Sequence, residues 1–258
     1  MTELHLKYFV GHRAPDFNIW AGFEFFEAER GELSDKKFLI DGSVFSEYST
    51  LFMLKERLKA RTLKDGIITI SHYRRFVSNQ IVGKKSNMLH CRYLTLEDML
   101  KFDPTEKFKP RNGYDHLLAT PLTLSKGVLV QYANCHHLRD IMLFSTVLID
   151  AKILNENQVI DFLTTKTLIA GASAGTFKIV DFIKIIDILQ VAAEKFFENG
   201  YKPYSDQYQK RVIGFLLERL HSFLLLNEVV KQYKGSFGST TMVSQSAVIA
   251  PSETVNLN

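Results

Sequence analysis

Hydrophobic and polar positions along this chain alternate between strand-like and helix-like stretches. "LHLKYFV" (4–10) reads as a strand that stops at Gly11-His12, "KFLI" (37–40) as a short second strand closed by Asp41-Gly42, and "GIITIS" (66–71) as a third. Residues 43–61 carry helical spacing and end on a basic turn, Lys55 to Arg61, which suits the negative end of a helix dipole. Thr95 and Asp98 open a short helix with Pro104 soon after its end. "DHLLAT" (115–120) is strand-like and stops at Pro121, residues 127–151 are helical in one or two pieces, and 156–164 form a short helix. "KTLIAG" (166–171) is a strand running into a Gly-Ala-Ser-Ala-Gly turn, and two long helices follow near 177–198 and 205–233.

This order predicts an α/β fold: a mostly parallel central sheet flanked by helices, with a helical C-terminal annex. Its division is one domain over 1–234 and a flexible Ser/Thr-rich, nearly uncharged tail over 235–258. Such sheets bind ligands beyond the carboxyl ends of their strands, where "FVGH" and "ISHYRRF" both fall.

Composition narrows the function classes. With 46% hydrophobic and 23% charged residues, the chain of 258 can bury a sizeable core, and its 20 phenylalanines favour aromatic packing. A net charge of +4 suits an anionic ligand or a membrane surface but does not argue for duplex nucleic acid. Two cysteines, Cys91 and Cys135, form neither a disulfide framework nor metal-ligand spacing, so a reducing cytosol is expected. "MTELHLKYFVGH" does not read as a secretory leader, and no window approaches ~18 uninterrupted apolar residues. The expected location is cytoplasmic, with any membrane contact peripheral at the inner face.

Several constellations carry possible chemistry. His72-Tyr73-Arg74-Arg75 ends a strand; in an extended run His72 and Arg74 share one face, Tyr73 and Arg75 the other. Guanidinium forks match phosphate oxygens, which reads as a diphosphate clamp, against a solvated basic turn. Gly11-His12-Arg13 lets backbone approach a ligand, or is an ordinary turn. "GASAG" (171–175) matches G-x-S-x-G, which would make Ser173 a nucleophile; only His221 lies downstream, inside a helical pattern, so a small-residue turn is preferred. "QYANCHHLRD" places Tyr132, His136 and Asp140 on one helix face, a base with its orienting partner or a polar stripe. "RVIGFLLERL" places Arg211 and Glu218 seven residues apart on one face of a greasy helix, where charges need partners or ligands. The chain has no Gly-rich phosphate loop and no Asp-x-Asp, and adjacent His136-His137 supports no zinc site.

In sequence order these motifs resemble a bacterial family: the glycosyltransferases carrying domain of unknown function 4422, found in capsule and O-antigen gene clusters. The resemblance covers roughly residues 6–230 and rests on "YFVGHRAP", "DGSVFSEYSTLFMLKERL", "ISHYRRF", "YDHLLAT", "QYANCHHLRD" and "RVIGFLLERL", the third and last being the specific ones. The family's Asn after Ser-Glu is replaced around Tyr48-Ser49, and its Asn-Met-Phe segment appears as "SAGTF". The resemblance implies a glycosyltransferase-A-like, Rossmann-type fold, a nucleotide-sugar donor and transfer of a galactose-type residue, including galactofuranose, to a growing lipid-linked or oligosaccharide acceptor of a surface polysaccharide.

On that footing Arg74, Arg75 and His72, with Tyr73 and Glu47, are expected to hold the donor diphosphate, and the nucleotide to lie near Phe9, Gly11 and His12. Asp140 or the His136–Asp140 pair is the expected base of an inverting reaction, with Asp115 in reserve. Tyr132, Arg211, Glu218 and Arg219 are expected to bind the acceptor or close the site. No cofactor is expected beyond a donor of UDP type, because guanidinium charge replaces a divalent metal in the absence of Asp-x-Asp. The competing classes are a non-catalytic nucleotide-sugar or polysaccharide-binding scaffold and a serine hydrolase using Ser173.

Overall fold

The computed structural model describes residues 4–11, 20, 22–27, 41–72, 75–80, 82–85, 92–94, 98, 102–104, 106–110 and 114–232. The strand expected at 37–40, the start of the helix expected at Thr95, the tail, and His12, Tyr73 and Arg74 lie outside them.

The central sheet is built from β1 (His5–Gly11), β2 (Glu24–Glu27), β3 (Ile67–His72), β6 (Leu117–Leu118) and β9 (Gly175–Lys178), in the order β2-β1-β3-β9-β6. β1 pairs in parallel with β2 and β3, while β9 runs antiparallel to both β3 and β6. Four of these strands therefore share one direction and β9 opposes them. Two small ladders stand apart: β4 (Lys84–Lys85) with β5 (Arg92–Tyr93), and β7 (Leu122–Thr123) with β8 (Thr167–Leu168).

Strand alternation sorts side chains between two layers. On one face Tyr8, Val10, Ile68, Ile70 and Phe177 join the main core with the helices. On the other, Phe9 packs with Trp20, Phe23, Phe76, Phe102 and Phe108 in an aromatic cluster. Thr69 and Thr176 also leave the helical side: Thr69 Oγ1 lies 2.7 Å from Thr176 Oγ1, which donates to the Phe108 carbonyl at 2.7 Å.

The helices are α1 (Gly42–Phe45), α2 (Tyr48–Ala60), α3 (Gly127–Ala133), α4 (Leu138–Asp150), α5 (Glu156–Thr164), α6 (Ile179–Glu198) and α7 (Val212–Gln232). Several have a readable cause. Asp41 caps α1 by accepting from the Ser43 N–H. Asn155 and Gln158 form a reciprocal capping box at α5. In α6, Phe182, Ile185, Ile186, Leu189, Ala193 and Phe196 recur every three to four residues and are buried. α7 is buried on most sides through Val212, Ile213, Leu216, Leu217 and Leu220. α2 and α6 are tied by buried Lys55, whose ammonium donates to Gln190 Oε1 at 2.6 Å and lies 2.7 Å from Asp187.

Three expectations needed revision. Residues 43–61 are two helices, broken at Ser46 and Glu47, because Ser46 adopts φ 54°. The segment after the Gly-Ala-Ser-Ala-Gly turn is strand β9 before it is helix. The long C-terminal helix begins at Val212, after a 3-10 turn at Gln209–Arg211. Among the described residues, no helix is long and apolar enough to cross a membrane.

Candidate functional site

β3 delivers its last residue, His72, to the carboxyl end of the parallel strands, level with Val10 of β1. There the chain reverses. The His72 N–H donates to the Arg75 carbonyl at 2.7 Å and the Arg75 N–H to the His72 carbonyl at 3.1 Å. Residues exchanging both main-chain bonds project their side chains to the same side. An extended run would have sent Arg75 to the face opposite His72; the reversal instead places both on the wall of one cavity of about 270 Å³.

The other walls come from distant parts of the chain. Ser46 and Glu47 enter from the α1–α2 break, Ala119 and Thr120 from the end of β6, and Ala170, Gly171, Ser173 and Ala174 from the turn between β8 and β9. Arg211 comes from the 3-10 turn that leads into α7, and Gly214, Phe215 and Glu218 from the start of α7, at successive three- and four-residue steps. Gly214 permits the close approach of α7 to the break: a Cβ built on it would stand 3.2 Å from Ser46 Oγ and 3.3 Å from the Phe45 carbonyl oxygen. Positive φ at a serine costs on the order of 1–3 kcal/mol, and here it turns Glu47 toward the cavity.

Ser173 sits at the centre of a polar chain. Its hydroxyl donates to Glu47 Oε1 at 3.0 Å and lies 3.1 Å from His72 Nε2. A hydroxyl has one proton. With that proton on the Glu47 carboxylate, His72 is the donor to Ser173 Oγ, so serine bridges the histidine and the carboxylate. The turn is further pinned to α7, since the Gly171 N–H donates to Glu218 Oε1 at 3.0 Å and the Ile169 N–H to Ser222 Oγ at 2.7 Å.

The cavity combines two guanidinium groups, Arg75 and Arg211, with two carboxylates, Glu47 and Glu218. Among the described residues no ion pair joins either arginine to a carboxylate, and Arg75 Nε is buried without a hydrogen-bond acceptor. A buried, unsatisfied guanidinium edge beside a cavity is what an anionic ligand would satisfy. No three His, Cys, Asp or Glu side chains gather as a metal site among the described residues.

The remaining sequence candidates lie elsewhere. Tyr132, His136, Asp140 and Arg219 form a buried layer behind Phe215 rather than part of the cavity wall. Arg219 donates to Gln131 Oε1 at 2.9 and 3.1 Å and to the Phe215 carbonyl at 2.7 Å, and stands over the Tyr132 ring at 5.0 Å. Asp140 is fully buried and accepts from the Tyr204 hydroxyl at 3.0 Å; burial holds its carboxyl above the ordinary range. The His136 ring stacks on Phe215 at 4.2 Å instead of bonding Asp140, and burial lowers its pKa to about 4. Asp115 pairs with Lys178 at 2.6 Å, away from the cavity. Phe9 is fully buried, 4.9 Å from Phe23, on the sheet face opposite the helices, and Gly11 pairs with Glu27 at the end of β1.

Sequence reasoning passed over Ser46, Gly214 and Phe215. The signal for the last two was present, since both lie between Arg211 and Glu218 on the same helical face. The Gly-Ala-Ser-Ala-Gly segment joins strand to strand, not strand to helix, so it is not a nucleophile elbow. The histidine that meets Ser173 comes from upstream, and the N–H after the serine is already spent on the Gly171 carbonyl at 2.9 Å.

Comparison with protein-family models gives no match, and comparison with curated protein sequences gives none. Among solved structures, the chain is similar to the apo structure of the bifunctional glycosyltransferase WbbM, with a TM-score of 0.72 and 14% identity over 95% of this chain and 45% of that one. The chain thus spans under half the length of that protein, and the likeness establishes that the two share a fold.

Proposed function

We propose that this chain is a glycosyltransferase that moves a galactose-type sugar, galactofuranose included, from a nucleotide-diphosphate donor to a growing bacterial surface polysaccharide. The single observation that supports it most is the cavity at the carboxyl ends of the parallel strands, where Arg75 has a buried nitrogen without an acceptor. The shared fold with a glycosyltransferase structure points the same way. So does the sequence resemblance to the family with domain of unknown function 4422.

In this reading the guanidinium of Arg75, joined by Arg74, neutralises the leaving diphosphate. Preorganised positive charge stabilises the electron pair that moves onto the phosphate oxygen as the anomeric carbon–oxygen bond breaks. An acceptor hydroxyl forms the new bond on the opposite face and gives its proton to a carboxylate. Glu47 takes that role in preference to Asp140 or Asp115, because it lines the cavity and is held by the serine bridge to His72. With Glu47 as the base the reaction is read as inverting, and it is read as needing no divalent metal because of the arginines and the lack of Asp-x-Asp.

A thermal-shift screen of the purified chain against nucleotides and nucleotide sugars tests the donor half, because a ligand that binds only the folded state raises its stability. Stabilisation by a uridine diphosphate sugar, followed by its hydrolysis or transfer, is the expected result. Stabilisation without turnover would favour the binding scaffold, and no stabilisation by any nucleotide would defeat the proposal.

A further inference from the structure

Beside the cavity mouth, four aromatic rings form a ladder from the core to the surface. Tyr132 is fully buried and lies 4.7 Å from the His136 ring; His136 stacks on Phe215 at 4.2 Å and 24°, and on Tyr208 at 5.6 Å and 16°. Phe215 lines the cavity, whereas Tyr208 is 48% exposed. Arg211 caps the outer end, with its guanidinium carbon 5.7 Å from the Tyr208 ring centre and 5.5 Å from that of Phe215.

A large ring left half in water is ordinary when it hangs loose. Here the ring is held in a stack, so its orientation is already fixed and little side-chain entropy remains to be lost on binding. The stack is also electrically mild. Burial keeps His136 uncharged above about pH 4, so it serves as a flat packing surface and not as a cation. The shelf therefore sets the exposed part of the Tyr208 ring next to fixed donors: the Arg211 fork and the Gln209 amide, whose Nε2 is 3.3 Å from the Cys135 carbonyl.

Apolar ring faces flanked by polar donors suit a saccharide better than a peptide or a lipid. A pyranose presents a flat patch of C–H bonds on one side and hydroxyls around its edge. The first matches an aromatic face and the second a guanidinium and an amide. Phe215 and Arg211 belong to both shelf and cavity, so the shelf adjoins the cavity that Glu47 and Glu218 line. We propose that Tyr208, Phe215 and Arg211 form a saccharide-binding platform that seats the acceptor glycan at the cavity rim. The acceptor role rests on the transferase reading; the saccharide binding does not.

Saturation-transfer nuclear magnetic resonance on the full chain tests it, with methyl β-galactopyranoside and a galactose disaccharide as probes. Saturation is expected to enter mainly one C–H face of the sugar, to fall sharply in Tyr208→Ala and to survive in Tyr208→Phe. The dissociation constant is expected to rise about tenfold in the alanine variant, the size of one lost ring contact. Tyr208 lies at the surface, and an unchanged melting temperature verifies that Tyr208→Ala folds. Equal saturation in wild type and Tyr208→Ala overturns the platform, as does a wild-type chain that binds neither probe. Stabilisation by uridine diphosphate reads the donor half separately: sugar binding that depends on Tyr208 without any nucleotide binding sinks the transferase reading and leaves the platform standing.

Discussion

Ser173 Oγ and His72 Nε2 lie 3.1 Å apart although 101 residues separate them, and the same hydroxyl reaches Glu47. The bridge explains why a serine in a G-x-S-x-G run faces a cavity without being set up as a nucleophile. Ser173→Ala should loosen Glu47 and lower transfer about tenfold, whereas Glu47→Gln should remove the proton acceptor and cost ~100-fold or more. Rates of both variants on the same donor and acceptor check this. Labelling of Ser173 by a fluorophosphonate would instead establish an activated serine.

Arg75→Ala should lower turnover by ~100-fold or more, the worth of one preorganised group aimed at developing charge. Arg75→Lys should recover little of it, because an ammonium cannot present two parallel donors. Chelator treatment should leave the wild-type rate unchanged. Activity lost to chelator and restored by manganese would show that a cation, not the guanidinium, carries the diphosphate.

Gly214 holds α7 against the α1–α2 break, where a Cβ would fit only if its neighbours gave by a few tenths of an ångström. Gly214→Ala must push Ser46 or the Phe45 carbonyl outward. A stability loss of about 1–3 kcal/mol is expected from such overpacking, and a rise in donor KM as Glu47 moves with its neighbour. Urea unfolding beside donor titration separates the two effects. A variant with full stability and unchanged KM would mean that the break has slack.

Acid should destabilise the fold before it titrates most carboxylates. Burial lowers the pKa of His221 to about 3, and mainly burial lowers those of His5 and His136 to about 4. Between those values and the ordinary 6.5 the unfolded chain binds protons that the folded chain refuses. The stability is therefore complete above about pH 6.5 and falls as the pH drops toward 4, by up to about 1.4 kcal/mol per unit for each such histidine. His221→Phe should flatten the slope while costing stability at pH 8, since the Tyr48 hydroxyl, 3.3 Å from His221 Nδ1, loses its partner. Urea midpoints at pH 8 and pH 5 for both chains measure it.

What was legible in the sequence follows the range of the forces involved. β1 and β3 announced themselves as short apolar runs stopped by glycine or a polar cluster, and the Arg211–Glu218 spacing fixed one wall of the cavity. β9 was hidden because Gly175–Lys178 continues directly into the apolar pattern of α6, and its partners, β3 and β6, are far away in sequence. The break at Ser46 carried no glycine or proline; it depends on the Asp41 cap and on Gly214, which lies well downstream. Tyr132, His136 and Asp140 were expected on one helix face, but the helical spacing is interrupted: His136 lies in the turn between α3 and α4, where its ring stacks on Phe215, while Asp140 in α4 accepts from Tyr204.

Synthesis runs from the amino end, so the stretch from Arg211 to Glu218 is the last part of the enclosure to leave the ribosome. Until then the nascent chain can carry most of the sheet but only an open shelf in place of a pocket. A stalled or truncated product ending before α7 has Arg75, Glu47 and Ser173 yet lacks the helix that pins the Gly171 turn. Closure of the cavity is thereby coupled to synthesis of α7.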